Sequence, residues 1–252
     1  MLRFLAFAYA LAAYSIGMGA LALFGAFLLG FDLVPRAPGA AGLALAVDIA
    51  LIVLFGVQHS VMARPAFKRG WTRVVPRPVE RATFVLASGL ALGALVAFWR
   101  PLAGSLWTAS GAGLAAAYGV FAAGALVLVG STFMIDHFEL FGLKQAWRAG
   151  GRRATAPEFR VVLLYRLVRH PIMLGILIML WAAPRMTIDH LVLSLGLTAY
   201  ILIALHLEER DLVEAHGDDY LRYREAVPKL IPRPGSAWRE TGAAALSSRS
   251  GD

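Results

Sequence analysis

The sequence predicts an all-α fold: a polytopic transmembrane helix bundle with four clear spans and a C-terminal helical hairpin. That makes five to six membrane helices, with both termini in the cytoplasm. Three observations predict it. The 252 residues are 59% hydrophobic and only 16% charged, with a mean hydropathy of +0.66, whereas a soluble domain carries about 25% charged residues. Several apolar runs are long enough to cross a hydrocarbon core of about 30 Å. Lysine and arginine, finally, fall almost wholly on one side of those runs.

Four runs read as spanning helices: Phe4–Gly30, Ala41–Met62, Thr83–Trp99 and Gly111–Ile135. In lipid the backbone polar groups must be satisfied within the segment, so runs of this length read as helices. The first exceeds the roughly 7–15 apolar residues of a secretory signal and is read as a retained helix. Two shorter runs follow, Ile172–Ala183 and Ile188–Leu207, separated by Pro184-Arg185. At 1.5 Å per residue the second is about 30 Å long and the first only about 18 Å. They are expected to form a hairpin whose short arm half-crosses or tilts against its neighbours.

Charge sets the orientation. The N-terminal flank, the loop 64–82, the loop 136–171 and the tail after 208 carry 1, 6, 7 and 7 Lys and Arg residues. The opposite flanks carry only Arg36, Arg100 and Arg185. Basic residues concentrate on the cytoplasmic side of membrane proteins, so this asymmetry predicts cytoplasmic termini and an even number of crossings. The net charge of +8 and pI near 10.3 belong to these flanks, and no nucleic-acid partner is expected. With no cysteine, disulfides, thiolate metal sites and a cysteine nucleophile are excluded. No ligand set for a metal is apparent, and no obligate protein partner is evident. Residues 1–235 are read as a single domain and 236–252 as a disordered tail.

Four polar groups stand on the basic side. Gln58-His59-Ser60 ends the second span, either as an interfacial helix end or as part of a site. Asp48, inside that span, suits a functional or a local hydrogen-bonded role. Asp136-His137-Phe138-Glu139-Leu140-Phe141 follows the fourth span. His137 can exchange a proton near neutral pH and Glu139 can orient it or act as a base, which favours function over a plain helix end. In Tyr165–Gly175, Pro171 breaks the hydrogen-bond ladder and biases His170 away from helical geometry. Such a break lines a cavity or merely starts a helix, and Gly175 admits close approach of a ligand or a helix. At the end of the last helix, Glu208-Glu209-Arg210-Asp211 sets carboxylates at the negative end of a helix dipole, where a cation should offset them. Tyr220 and Tyr223 lie on a short amphipathic helix that could cap a pocket.

Arg169-His170-Pro171-x-x-x-Gly175, followed by Glu208-Glu209 and Tyr220-x-x-Tyr223, resembles the isoprenylcysteine carboxyl methyltransferase and phospholipid methyltransferase superfamily. That pattern usually carries tyrosine where this chain has Met173. The stretch Phe55–Arg64, with Phe67-Lys68 and Glu80-Arg81, resembles the nitrite-reductase-associated membrane proteins. The run His137–Gln145 resembles the bacterial methanethiol S-methyltransferases. The resemblance implies a multi-pass protein of the bacterial cytoplasmic membrane, with S-adenosylmethionine as cofactor and a small thiol, methanethiol, as substrate.

Roles follow from that implication. Glu208 and Glu209 suit the donor's ammonium and sulfonium, and Arg169 suits its carboxylate. Tyr165, His170, Pro171 and Gly175 complete the cofactor site, with freed backbone near His170 meeting adenine or ribose. A thiolate is the competent nucleophile. His137 is the expected base, oriented by Glu139, with Arg210 and His59 as alternates. Gln58, Phe138, Phe141 and Tyr220 are expected around the substrate. Competing readings are a methyltransferase for a prenylcysteine carboxylate or phospholipid amine, a nicotinamide-dependent membrane reductase, and a non-catalytic factor of nitrogen respiration.

Overall fold

The structure, a computed structural model, describes residues 2–31, 33, 34, 39–149 and 161–238. Arg36 and most of the tail expected to be disordered, from 239 onward, lie outside the described residues. Among the described residues, five helices are long and apolar enough to cross a membrane: α1 (Leu2–Leu28), α2 (Ala41–Ala63), α4 (Arg77–Phe98), α5 (Gly111–Met134) and α9 (Ile188–His216). A short helix α3 (Pro65–Trp71) joins α2 to α4. Helices α6 (His137–Leu140) and α7 (Leu143–Trp147) follow α5. The short arm of the expected hairpin is α8 (Pro171–Trp181), and α10 (Asp218–Ala226) follows α9.

Two boundaries differ from the apolar runs. Helix α4 starts six residues before Thr83, because Pro78 and Glu80 both suit a helical first turn. Helix α9 continues nine residues past Leu207 until Gly217, at φ +55°, ends it. The charged run 208–211 is therefore helical and stands above the apolar layer.

A two-stranded antiparallel ribbon, β1 (Ser105–Thr108) with β2 (Arg185–Thr187), joins the α4–α5 loop to the α8–α9 turn. Trp107 donates its indole proton to the Ala183 carbonyl at 3.2 Å. The ribbon puts both turns at one end of the bundle and so explains how an eleven-residue helix serves as a full arm. Between Ile188 and Glu209, α9 rises about 31 Å. Helix α8 contributes about 16 Å, and the non-helical residues on either side supply the rest.

Close packing rests on small residues. A Cβ on Gly175 of α8 would lie 2.6 Å from the Leu128 backbone nitrogen of α5, and one on Gly124 would lie 2.8 Å from the Ile178 side chain. Helices α1 and α4 cross likewise at Gly17 and Gly89. Such contacts allow dispersion forces to hold helices together where lipid removes the hydrophobic driving force. The core they enclose holds Phe24, Leu28, Leu92, Trp99, Leu180, Leu193 and Leu197. At the ribbon end, Asp48 takes the local role: its Oδ1 accepts from the Arg100 backbone nitrogen at 2.8 Å, just past the end of α4.

Candidate active site

The α5–α6 corner is built by Asp136. It adopts a left-handed φ of 83°, accepts from the Glu139 backbone nitrogen at 3.2 Å and pairs with Lys144 at 2.5 Å. That lysine bond holds the Asp136 carboxyl below the usual carboxylate range. The corner turns His137 inward, where it is buried.

Phe133, one turn earlier, stacks flat on the His137 ring at 4.2 Å, and Tyr14, Phe138 and Phe141 stand around it. The Tyr14 hydroxyl lies 2.9 Å from Nε2, and Thr132 Oγ1 lies 2.8 Å from Nδ1. Burial pulls the His137 pKa below its ordinary value, with Asp136 opposing only partly, which keeps the ring neutral at pH 7. Glu139 does not orient this ring. It is turned to Arg148 at 3.0 Å.

The second corner is held by Glu209, buried near the end of α9. Arg169 Nε donates to its Oε1 at 2.7 Å, His170 Nε2 lies 3.1 Å from the same oxygen, and Lys229 Nζ lies 3.0 Å from Oε2. Arg169 also donates to the carbonyls of Arg224 and Val227. Backbone bonds from Arg169 and His170 to Pro228 and Lys229 extend the seam. The chain after α10 is thereby strapped across the start of α8, with the Tyr223 hydroxyl donating to the Tyr165 carbonyl at 2.6 Å. Burial raises the phenol pKa of Tyr165, Tyr220 and Tyr223, so all three stay protonated.

Between these corners lies a chamber of about 760 Å³, within the roughly 300–1,000 Å³ usual for ligand sites. Its deep end is apolar, walled by Leu21, Phe24, Leu92, Ile176 and Met179. Its other end is polar and aromatic: His59, Arg81, His137, Phe141, Tyr165, Arg169, His170, Glu208 and Tyr220 all line it.

The chamber thus brings together nine of these groups, eight of them expected from sequence. The rest stand apart. Arg210 lines a separate pocket with Arg64 and Asp211. Gln58 donates to the Met62 sulfur, and Phe138 is exposed on its outer side. Pro171 starts α8 at its first position, and Gly175 serves the α5 contact. Of the two adjacent glutamates, Glu209 is consumed by Arg169, His170 and Lys229, while the Glu208 side chain, 45% exposed, lines the chamber.

Sequence reading missed Tyr14, Thr132 and Ser88, the last bonded to His59 Nδ1 at 3.1 Å. Their only signal is a hydroxyl inside an apolar helix. Met173, which stands where the related superfamily carries tyrosine, lines the chamber.

A helical bundle with five membrane-length helices among the described residues and a chamber that is apolar within and ionic at one end defines a multi-pass membrane protein. The chain belongs to the family described as NnrU protein, whose model matches residues 48–246. It is 46% identical over 246 residues to a methanethiol S-methyltransferase of Mycobacterium tuberculosis, covering 93% of this chain and 98% of that one. It is 49% identical over 193 residues to methanethiol S-methyltransferase 2 of Bradyrhizobium diazoefficiens, covering 76% and 74%. A more distant likeness is to nurim of Rattus norvegicus, 31% identical over 201 residues, covering 75% and 74%. No solved structure matches.

Proposed function

We propose that this protein methylates methanethiol to dimethyl sulfide, using S-adenosylmethionine, at the cytoplasmic face of the bacterial inner membrane. The observation that carries this reading is the chamber, which sets a carboxylate, tyrosine rings and a buried neutral imidazole at one end and an apolar depth at the other. The relatives named methanethiol S-methyltransferases, at 46% and 49% identity, support the same chemistry.

The residues present fit the donor. Glu208 offers a chamber-facing carboxylate for its cationic groups, and Tyr165 and Tyr220 offer rings beside it. Arg169 lines the chamber with its Nε on Glu209 and its Nη1 on the Arg224 and Val227 carbonyls, so it presents a fixed positive charge to the donor's carboxylate. When bound, the donor supplies an electrophilic methyl carbon. The chain's own part is to hold the thiol in line with that carbon, exclude water and accept the thiol proton. Apolar walls suit a small thiol that partitions from the bilayer. Neutral His137 is the proton-accepting group.

Headspace gas above membranes supplied with methanethiol and S-adenosylmethionine tests the reading. Dimethyl sulfide formation supports it. Its absence, or methylation only of prenylcysteine or phospholipid amine, overturns it.

A further inference from the structure

Both ring nitrogens of His137 are already engaged, and hydrogen-bond arithmetic fixes which one carries the proton. A threonine hydroxyl has a single proton to give. Thr132 gives its proton to the Val129 carbonyl at 2.7 Å. At 2.8 Å from Nδ1 its oxygen therefore accepts, and Nδ1 carries the ring hydrogen. The neutral ring then leaves Nε2 bare, so the Tyr14 hydroxyl 2.9 Å away donates to it.

A substrate proton cannot reach Nε2 without displacing Tyr14. Tyr14 itself lines the chamber, and no other hydrogen bond of its hydroxyl is found among the described residues. Its oxygen lone pairs are therefore available to an S–H donor. The flat Phe133 stack and the edges of Phe138 and Phe141 hold the imidazole in this orientation. Nearby charges are already partnered, Asp136 on Lys144 and Glu139 on Arg148. From α4, Arg81 lines the same chamber.

We infer that Tyr14 is a catalytic residue: it takes the proton from the thiol as it hands its own phenolic proton to Nε2 of His137. This rests on the thiol-methylation reading. The S–H bond breaks and a proton reaches the Tyr14 oxygen, while the Tyr14 proton leaves for Nε2 and makes the imidazolium. The thiolate sulfur then bonds to the methyl carbon, and the bond from that carbon to the donor's sulfonium breaks, its electron pair staying on the donor sulfur. The proton on His137 later returns to solvent through the same hydroxyl.

The experiment compares wild type, Tyr14→Phe and Thr132→Val in lipid nanodiscs, with methanethiol and with the more acidic 2,2,2-trifluoroethanethiol. Tyr14→Phe should lose about 100- to 10,000-fold in kcat with methanethiol at pH 7, the usual range for general base catalysis. It should lose less than about tenfold with the acidic thiol, which ionises unaided, and the methanethiol deficit should shrink as pH rises. Thr132→Val, which frees Nδ1, should show the same dependence on thiol acidity. Independently of turnover, ¹⁵N spectra of labelled histidine without donor should show the Nδ1–H tautomer, with the Nε2 signal shifting in Tyr14→Phe. Equal losses for both thiols, no loss at all, or an Nε2–H tautomer overturns the relay. S-adenosylhomocysteine binding by each variant checks folding. A wild type that methylates neither thiol overturns the functional reading, whereas an active wild type with an unaffected Tyr14→Phe overturns the relay alone.

Discussion

Arg169 and Glu209, 40 residues apart in sequence, meet at 2.7 Å with both side chains only 8% exposed. Their pairing closes the junction between the start of α8, the end of α9 and the strap after α10. A buried ion pair holds its place when further hydrogen bonds satisfy the remaining sites, and removing one member leaves an uncompensated charge. Glu209→Ala leaves Arg169 and Lys229 without their shared partner. A loss of about 3–5 kcal/mol of stability is expected, read as a large fall in Tm in nanodiscs.

Glu208 stands one residue away and behaves oppositely. Its side chain is 45% exposed and lines the chamber. Glu208→Gln should leave Tm nearly unchanged and weaken S-adenosylhomocysteine binding on the order of tenfold, or about 1.4 kcal/mol. Isothermal titration beside a thermal melt separates the two glutamates. An equal fall in Tm for both would contradict the division of labour.

The α5–α8 crossing predicts an effect far from any charge. A methyl group added at Gly175 meets the Leu128 backbone nitrogen at 2.6 Å and the Gly124 carbonyl at 2.7 Å, where no side chain can swing aside. Gly175→Ala should cost roughly 1–3 kcal/mol, as overpacking of a filled core does. It should also lower turnover, because α8 begins at the His170 corner. Gly130, with open space at its Cβ position, is the control, and Gly130→Ala should melt like wild type.

The pH dependence follows from His137. Burial, the larger influence, lowers its pKa below the ordinary 6.5 and outweighs Asp136. Well above 6.5 the ring is neutral folded or unfolded, and Nε2 is free to accept. As pH falls below 6.5 the unfolded chain binds the proton more readily than the folded one, so stability falls with pH. Turnover falls through the lower, folded pKa, because a protonated Nε2 ejects the Tyr14 donor. A pH–rate profile for methanethiol should show an acid limb below neutrality. Thr132→Val should move that limb, and an unmoved limb would mean that another group sets it.

Much of this protein is legible in its sequence because hydropathy and charge act locally. The runs Ala41–Met62 and Gly111–Ile135 match α2 and α5 to within a residue. The Pro171 break and the Pro184-Arg185 interruption mark the two ends of α8 within three residues. The ribbon was not legible. Ser105–Thr108 and Arg185–Thr187 are three or four residues each, and they become strands only because each finds the other across the bundle.

The site divides along the same line. Sequence alone determined the membrane bundle, the gathering of His59, His137, His170 and Glu208 at one end, and one close-approach position, Gly175. These depend on the order of apolar and charged residues and on helical rise. Only the tertiary structure decided which groups work together. Adjacent residues on a helix point about 100° apart, so Glu208 faces the chamber and Glu209 faces the Arg169 corner, a distinction no local pattern carries. Tyr14 reaches His137 across 123 residues, and Thr132 sets the ring's proton through the carbonyl it bonds. Those pairings depend on how α1 packs against α4 and α7, beside the α6 corner, and therefore on the fold as a whole.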